Sequence, residues 1–262
     1  MTEAGARPLR IGCVKYLNAQ PLIFGWRGEV QFDHPAALCR KLADGALDVA
    51  CVSSFEFLRN PIYNIADGVA VACDGPVYSV FLAHDAPLDD VREIALDPAS
   101  QTSVNLLRCL LAERGLGPRL LAQIDGREHF STAEHARLMI GDQAIRFRED
   151  HGDAHQYWDL GLAWKEATGL PFVFALWLLR PELAAPNRIG DRLRDRRDEN
   201  VHALEQLIAA QTDFTPEFCR FYFGDCLRFG LAEREKAGLL LFRSLCEKYG
   251  ILPPNQTPLR LV

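Results

Sequence analysis

The pattern that most constrains this chain is an alternation of short apolar segments with segments of helical periodicity, which occurs in two separate blocks. In the first block, a predicted strand near 9–14 and the run "LDVACV" flank a helix-like segment over 36–42. In the second block, "EIAL" precedes a helix-like segment that ends near Gly115, and "LMIG" is the next predicted strand. Alternating strands and helices predict an α/β fold with mixed, mainly parallel sheets.

Two further apolar runs, at 77–83 and 170–179, lie on either side of the second block and would connect it twice to the rest of the chain. We therefore predict a discontinuous first lobe of about 1–90 plus 180–262, with a helical C-terminal tail, and an inserted second lobe of about 91–179. Two α/β lobes joined by two crossover strands resemble the type II periplasmic-binding-protein-like architecture. In that architecture the ligand lies in the cleft between the lobes.

Composition narrows the classes of partner. The chain of 262 residues has a formal net charge of −6 and an isoelectric point near 5.7, which argues against nucleic acid or an anionic membrane surface. No apolar run approaches the roughly 18–20 residues that a membrane span needs. The first ten residues lack the apolar segment of a secretory signal, so we expect a cytoplasmic protein with no membrane partner.

The motifs of common cofactor and metal chemistry are missing from the sequence. The eight cysteines form no CxxC pair, and no cysteine or histidine spacing resembles a zinc site, so we expect reduced structural thiols and no metal. There is no GxSxG, GxGxxG or Walker A motif. Hydrolytic triads and nucleotide cofactors are therefore not supported.

Small polar side chains gather where predicted strands end. Most of them precede a predicted helix, where free backbone N–H groups and the helix dipole favour an anion. Ser79 differs, since it lies within the predicted strand that enters the second lobe. We therefore predict a small carboxylate ligand, with these candidate contacts: Asn18, Ser53, Ser54, Ser79, Ser100, Gln101, Thr102, Ser103 and Asp142.

Each of these residues also has a purely structural interpretation. Ser53 or Ser54 is a natural N-cap for the following helix, and Ser100 or Thr102 can cap the next one. Asp142 beside Gly141 is ordinary turn chemistry, and Asn18 can be a turn residue. A buried serine such as Ser79 is commonly bonded to backbone. Taken one at a time, the residues indicate only a two-lobed protein that binds an anion.

Several longer stretches together resemble one family. They are "RIGCVKYLNAQPL", "ADGALDVACVSSFEFL", "ACDGPVYSVFL", "ALDPASQTSVNLL", "LMIGDQAI" and "YWDLGLAWKEATGLPFVFALW". Their order and spacing, over about residues 9–180, are similar to the chorismate dehydratases of the futalosine route to menaquinone. The resemblance implies a cofactor-independent hydro-lyase that converts chorismate to 3-[(1-carboxyvinyl)oxy]benzoate and water, acting as a monomer or homodimer.

The resemblance also implies roles for individual residues. Asn18 matches the YLN position and Ser79 the DGPVxSV position, so both would be catalytic or would orient the substrate. No motif contains an obvious base, and we hypothesise that the enolpyruvyl carboxylate of the substrate removes the proton. Relatives often carry serine where this chain has Ala99, so that contact is lost here. We interpret Trp164 and Trp177 chiefly as core or cleft wall.

Two other functions stay open at this point. The sister 1,4-dihydroxy-6-naphthoate synthase of the same pathway shares the fold, although it typically opens with a "CPND"-like segment where this chain has "KYLNAQPL". A cytoplasmic solute-binding module would use the same cleft without any chemistry. Chorismate and the sister enzyme's substrate, offered in parallel, distinguish the three.

Overall fold

The computed structural model describes residues 8–97, 100–122 and 135–262. The strands are β1 (Ile11–Cys13), β2 (Val30–Phe32), β3 (Val49–Ser53), β4 (Asn64–Cys73), β5 (Val80–His84), β6 (Glu93–Leu96), β7 (Arg119–Ala122), β8 (His135–Ile140), β9 (Gln156–Asp159) and β10 (Phe172–Leu179). The α-helices are α1 (Gln20–Ile23), α2 (Pro35–Ala43), α3 (Ser54–Arg59), α4 (Gln101–Glu113), α5 (Gly141–His151), α6 (Leu160–Thr168), α7 (Pro186–His202), α8 (Leu204–Ala209), α9 (Pro216–Phe221) and α10 (Glu233–Lys248).

The first sheet has the strand order β2-β1-β3-β10-β4. Strand β1 pairs in parallel with β2 and with β3, where Ile11 lies opposite Val49. Strand β10 is antiparallel to both of its neighbours, and Trp177 lies opposite Cys51 of β3. The sheet therefore combines the start of the chain with a strand that returns from the second lobe.

The second sheet repeats this plan with the order β7-β6-β8-β5-β9. Strand β6 is parallel to β7 and β8, whereas β5 is antiparallel to β8 and β9. In each sheet the crossover strand runs against its neighbours because it arrives from the opposite lobe. The prediction of mainly parallel pairing is therefore wrong for the half of each sheet that holds the crossover strand.

The predicted lobe boundaries at 90 and 180 also need correction. Strand β5, expected in the first lobe, pairs only within the second sheet, and β10, expected in the second lobe, pairs within the first. The chain changes lobe before β5 and before β10, that is, within 74–79 and 169–171. An apolar strand has no sequence feature that shows which sheet it joins. Each predicted boundary therefore lies one strand too late in the chain.

The first crossover segment is fixed by Asp159, which is the N-cap of α6. Its carboxylate accepts the backbone N–H groups of Val77 at 3.1 Å, Tyr78 at 2.8 Å and Leu162 at 3.0 Å. Gly161 lets α6 approach this segment, because a β-carbon there would lie 2.7 Å from the carbonyl oxygen of Gly75. The "DGPVYS" and "DLG" motifs are thus two sides of one contact.

The tail is helical, as predicted, but its long charged segment is divided between α7 and α8. Thr215 caps α9 by accepting the N–H of Phe218 at 3.2 Å, and Pro216 is the first helical residue. Helix α10 packs against β10 and α4, so the tail contacts both lobes.

The aromatic residues of the "DLGLAW…FALW" segment are core residues. Trp164 and Trp177 are both fully buried, and the indole of Trp164 donates to the carbonyl of Pro171 at 3.2 Å. All eight cysteines are buried with free thiols. Within the described part of the chain, no helix is long and apolar enough to cross a membrane.

Candidate functional site

A cleft lies between the two sheets and is lined by both lobes. Its walls are mainly apolar, with Val14 and Val52 from the first lobe and Val80 and Ile140 from the second. The space between the walls is about 660 Å³, part of which opens to solvent. Small-molecule sites are typically apolar clefts of this kind with a few polar groups that orient the ligand.

Two residues of the cleft lining carry a buried amide oxygen that has no hydrogen-bond partner among the described residues. Asn18 lies in the short 3-10 helix Leu17–Ala19 that follows β1, and Gln101 is the first residue of α4. Both line the cleft, and Asn18 Oδ1 and Gln101 Oε1 are buried with no partner. Buried polar atoms in folded proteins are nearly always hydrogen-bonded. These two oxygens are therefore unsatisfied acceptors on residues that line the cleft.

Thr102, the residue after Gln101, connects the two lobes. Its hydroxyl lies 2.5 Å from the hydroxyl of Ser53, 3.1 Å from the carbonyl of Phe174 and 3.3 Å from the N–H of Phe55. Ser53 is the N-cap residue of α3, and its own side chain makes no capping bond. The predicted ligand-binding hydroxyls of Ser53 and Thr102 thus line the cleft and bind each other.

The start of α4 is capped as the sequence predicts. Ser100 is its N-cap and accepts the N–H of Ser103 at 3.2 Å. Both residues also line the cleft. The capping and the ligand-binding interpretations are therefore compatible at this helix.

Asp142 lies in the first turn of α5 and contacts the other lobe. Its carboxylate accepts the backbone N–H of Leu17 at 2.9 Å, directly before Asn18. Burial raises the pKa of Asp142 above its ordinary value, although the bond from Leu17 opposes this. Asp142 does not line the cleft. It anchors the segment that presents Asn18.

Ser54 and Ser79 are the two other predicted residues that do not line the cleft. Ser54 is fully buried and donates to the carbonyl of Val173 at 2.7 Å. Ser79 lies just before β5 rather than within a strand, and its hydroxyl accepts a hydrogen bond from Tyr222 at 2.6 Å. Its neighbours Val77 and Val80 do line the cleft, so Ser79 lies directly behind the wall.

Sequence reasoning missed Tyr16 and Gly141 as cleft residues. Gly141 has φ of +63°, and the ring of Tyr16 lies 3.2 Å from where a β-carbon would be, so a larger residue would be excluded. Burial and the nearby charges of Asp97 and Asp142 raise the pKa of Tyr16 to about 12. The two residues belong to the motifs "YLN" and "IGD". Neither motif indicates that Tyr16 and Gly141 are in contact.

The lining contains no Asp, Glu, His, Lys or Arg side chain among residues 8–97, 100–122 and 135–262. Tyr16 is neutral at physiological pH because its pKa is near 12. The described residues likewise hold no cluster of acidic, histidine and cysteine side chains suited to a metal ion. The site can orient a ligand with hydroxyls, amides and helix N-termini, but these side chains offer no strong base.

Two known proteins are similar in sequence to this chain over most of its length. The chain is 33% identical over 257 residues to a chorismate dehydratase from Thermus thermophilus, covering 90% of this chain and 94% of that protein. It is 25% identical over 234 residues to a chorismate dehydratase from Campylobacter jejuni, covering 88% and 91%.

The fold is also found in solved structures. The periplasmic aliphatic sulphonate binding protein SsuA from Escherichia coli superposes with a TM-score of 0.60 at 15% identity, over 95% of each chain. The predicted periplasmic-binding-protein-like fold is thereby confirmed. A family model described as "Menaquinone biosynthesis" matches residues 9–248, nearly the whole described chain. This chain therefore belongs to the menaquinone biosynthesis family, as its motifs predict.

Proposed function

We propose that this protein is a chorismate dehydratase, which converts chorismate to 3-[(1-carboxyvinyl)oxy]benzoate and water. The observation that carries the proposal is the likeness to the Thermus thermophilus and Campylobacter jejuni relatives, both of which bear that name. We further propose that the enzyme is cytoplasmic, needs no cofactor and acts as a monomer or homodimer.

The reaction needs little chemical assistance. The C3 proton of chorismate is acidified by the conjugated ring carboxylate, hydroxide leaves from C4, and the ring becomes aromatic. The proton and the hydroxide leave together as one water molecule, so no electrons are gained or lost. The protein has to bind a dianion, hold the C3–H and C4–OH bonds in the reactive orientation, and exclude water.

The free amide of Asn18 suits the C4 hydroxyl. This hydroxyl is the only O–H donor of the chorismate dianion, and Asn18 Oδ1 is a buried acceptor without a partner within residues 8–97, 100–122 and 135–262. The NH₂ group of the same amide can donate to the oxygen as it leaves. In this proposal Asn18 orients the bond that breaks.

The two carboxylates of chorismate call for donors. Helix α4, with 13 residues, begins at the cleft with backbone N–H groups that have no partner within the helix. The hydroxyls of Ser53 and Thr102 lie beside them. In this proposal Ser79, which lies directly behind the cleft wall, donates a hydrogen bond to the bound substrate. Ser54 and Asp142 hold the segments that carry the binding residues.

The lack of a strong base in the described lining supports a base supplied by the substrate. The enolpyruvyl group is attached at C3, so its carboxylate can reach the C3 proton intramolecularly. A base held this close reacts as if present at very high effective concentration. We therefore keep the hypothesis that this carboxylate removes the proton.

The test is to incubate the protein with chorismate and to follow the aromatic product by its absorbance and mass. Cyclic dehypoxanthinylfutalosine is offered in parallel. Product from chorismate alone supports the proposal. Turnover of the second substrate alone identifies a 1,4-dihydroxy-6-naphthoate synthase, and binding without turnover of either identifies a solute-binding module.

A further inference from the structure

The hydroxyl of Tyr222 donates a hydrogen bond to the hydroxyl of Ser79 at 2.6 Å. Both side chains are 0% exposed, so no water competes for this bond. The two residues are 143 positions apart in the chain, and Tyr222 belongs to the helical tail rather than to the cleft. It begins a single turn of π-helix, Tyr222–Cys226, directly after α9. Such turns occur frequently at functional sites.

The direction of this bond determines what Ser79 can do. A serine hydroxyl has one proton and two lone pairs. When Tyr222 donates into one lone pair, the proton of Ser79 must point to a different acceptor. Ser79 is therefore prepared to donate, which is the role that an anionic ligand requires. Burial raises the pKa of Tyr222 far above its ordinary value, so the phenol keeps the proton that it donates.

The ring of Tyr222 is held in place by aromatic neighbours. It stacks on Phe218, with centroids 5.5 Å apart and planes at 17°. Phe218 in turn contacts Tyr78, the residue before Ser79, at 5.3 Å. The ring of Tyr222 and the backbone next to Ser79 are therefore held by the same aromatic residues.

Ser79 is also held on its cleft side. Its carbonyl accepts the N–H of Gly141 at 2.8 Å, and Gly141 lines the cleft together with Val77 and Val80. Ser79 therefore belongs to the segment that forms this wall, with its side chain fully buried directly behind it.

We propose that Tyr222 is a positioning residue that makes the Ser79 hydroxyl a hydrogen-bond donor toward the substrate in the cleft. This inference rests on the proposed dehydratase function, because it assumes that Ser79 acts on chorismate. Tyr222 itself touches no substrate in this scheme and acts only through Ser79.

The experiment compares turnover of chorismate by the wild-type protein, Tyr222→Phe, Ser79→Ala and the double variant. We expect Tyr222→Phe to lower kcat about fivefold to tenfold, the value of one hydrogen bond. In the Ser79→Ala background the same change should have no further effect on kcat. A merely structural role would instead lower kcat by the same factor in both backgrounds, and would overturn the proposal.

Tyr63→Phe is the matched control. Tyr63 is 1% exposed and its buried hydroxyl has no hydrogen-bond partner in the described part of the chain, so the substitution breaks no hydrogen bond seen there. We expect its kcat to equal that of the wild type. Crystal structures of the wild type and Tyr222→Phe add a readout independent of turnover, with an unchanged cleft wall expected in the variant.

The possible failures are distinguishable. An active wild type with an equally active Tyr222→Phe would contradict the positioning role and leave the dehydratase function intact. A wild type that leaves chorismate unchanged would contradict the function and the role together. Rearrangement of the cleft wall in an impaired Tyr222→Phe would show a merely structural role and would also overturn the proposal.

Discussion

The carboxylate of Asp159 holds Tyr78 in a left-handed backbone conformation. Asp159 Oδ2 accepts the Tyr78 N–H at 2.8 Å, and Tyr78 has φ of +65°, which is uncommon for a residue other than glycine. Tyr78 lies in the crossover between the lobes and precedes Ser79. The conformation costs free energy, and the buried carboxylate offsets it by satisfying three backbone donors in this region.

Asp159→Ala should therefore destabilise the protein by about 3 kcal/mol, because three buried or partly buried N–H groups lose their acceptor. Asp159→Asn retains one carbonyl oxygen and should cost less. Chemical denaturation of the purified variants measures the free energy of unfolding. Exposed Asp153→Ala is the control, expected within about 0.5 kcal/mol of wild type. An equal, small effect of Asp159→Ala would show that the carboxylate does not hold the crossover.

Asn18→Ala should lower kcat for chorismate about 100-fold, since a group that orients the leaving hydroxyl is lost. The melting temperature should stay within about 2 °C of wild type, because the amide oxygen has no partner among the residues that the structure describes. Calorimetric titration with chorismate separates orientation from affinity. Exposed Asn187→Ala is the matched control and should be fully active. An Asn18→Ala protein with wild-type kcat would exclude a role in orientation.

Thr102→Val keeps the shape of the side chain but removes the hydroxyl that links the lobes. We expect a loss of about 1–2 kcal/mol in the free energy of unfolding and a raised KM for chorismate, because Ser53 loses its partner. Thermal and denaturant unfolding give the first value, and steady-state kinetics give the second. Thr212→Val, at an exposed position, should change neither. Unchanged stability and KM in Thr102→Val would contradict the contact.

A chorismate analogue that lacks the enolpyruvyl carboxylate should bind but not lose water, since the described lining has no strong base of its own. Binding is followed by calorimetry and dehydration by the absorbance of the aromatic ring. An analogue that retains this carboxylate but is altered elsewhere on the enolpyruvyl group serves as the control. Dehydration of the first analogue at the rate of chorismate would refute the substrate-supplied base.

The ion pair of Lys165 and Asp74 predicts a pH dependence of stability. Lys165, at 2.5 Å, holds the pKa of Asp74 below its ordinary value. The Asp74 carboxylate therefore binds a proton more readily in the unfolded chain than in the folded chain. The pair therefore stabilises the fold fully above the ordinary pKa of about 3.9, and loses this effect as pH falls through the lower folded-state pKa.

Lys165→Met should lower the melting temperature by about 2 °C at pH 6 and by much less at pH 2. Scanning calorimetry at both pH values measures the difference. Exposed Lys15→Met is the control and should show no such change between the two pH values. An equal loss at pH 6 and pH 2 would mean that the charge of Asp74 is not involved.

The sequence predicted strands such as β3 and β6 because their signals are local, but it did not predict β2, β7 or β9. The caps at Ser100 and Thr215 follow from side-chain chemistry within one turn. The sheet assignment of β5 and β10 depends on pairing across long stretches of chain, so it was not available from periodicity, and the lobe boundaries were misplaced. The same limit applies to the antiparallel direction of both crossover strands.

For the candidate site, strand-end chemistry found the residues that both begin a helix and face the cleft, such as Thr102. It could not distinguish Asn18, which lines the cleft, from Asp142, which supports it from behind, because both are polar residues after a strand. Tyr222 carried no signal at all. Its contact with Ser79 arises from tertiary packing of the tail, and no pattern near Tyr222 indicates it.

Each crossover strand lies inside its sheet, with β10 between β3 and β4, and β5 between β8 and β9. Neither strand can shift without breaking hydrogen bonds on both of its sides. A rotation of the lobes about the short connectors at 74–79 and 169–171 leaves the hydrogen bonds of both sheets intact. Because Tyr78 and Ser79 lie in the first connector, such a rotation would change the backbone torsions at the residues that position the serine hydroxyl.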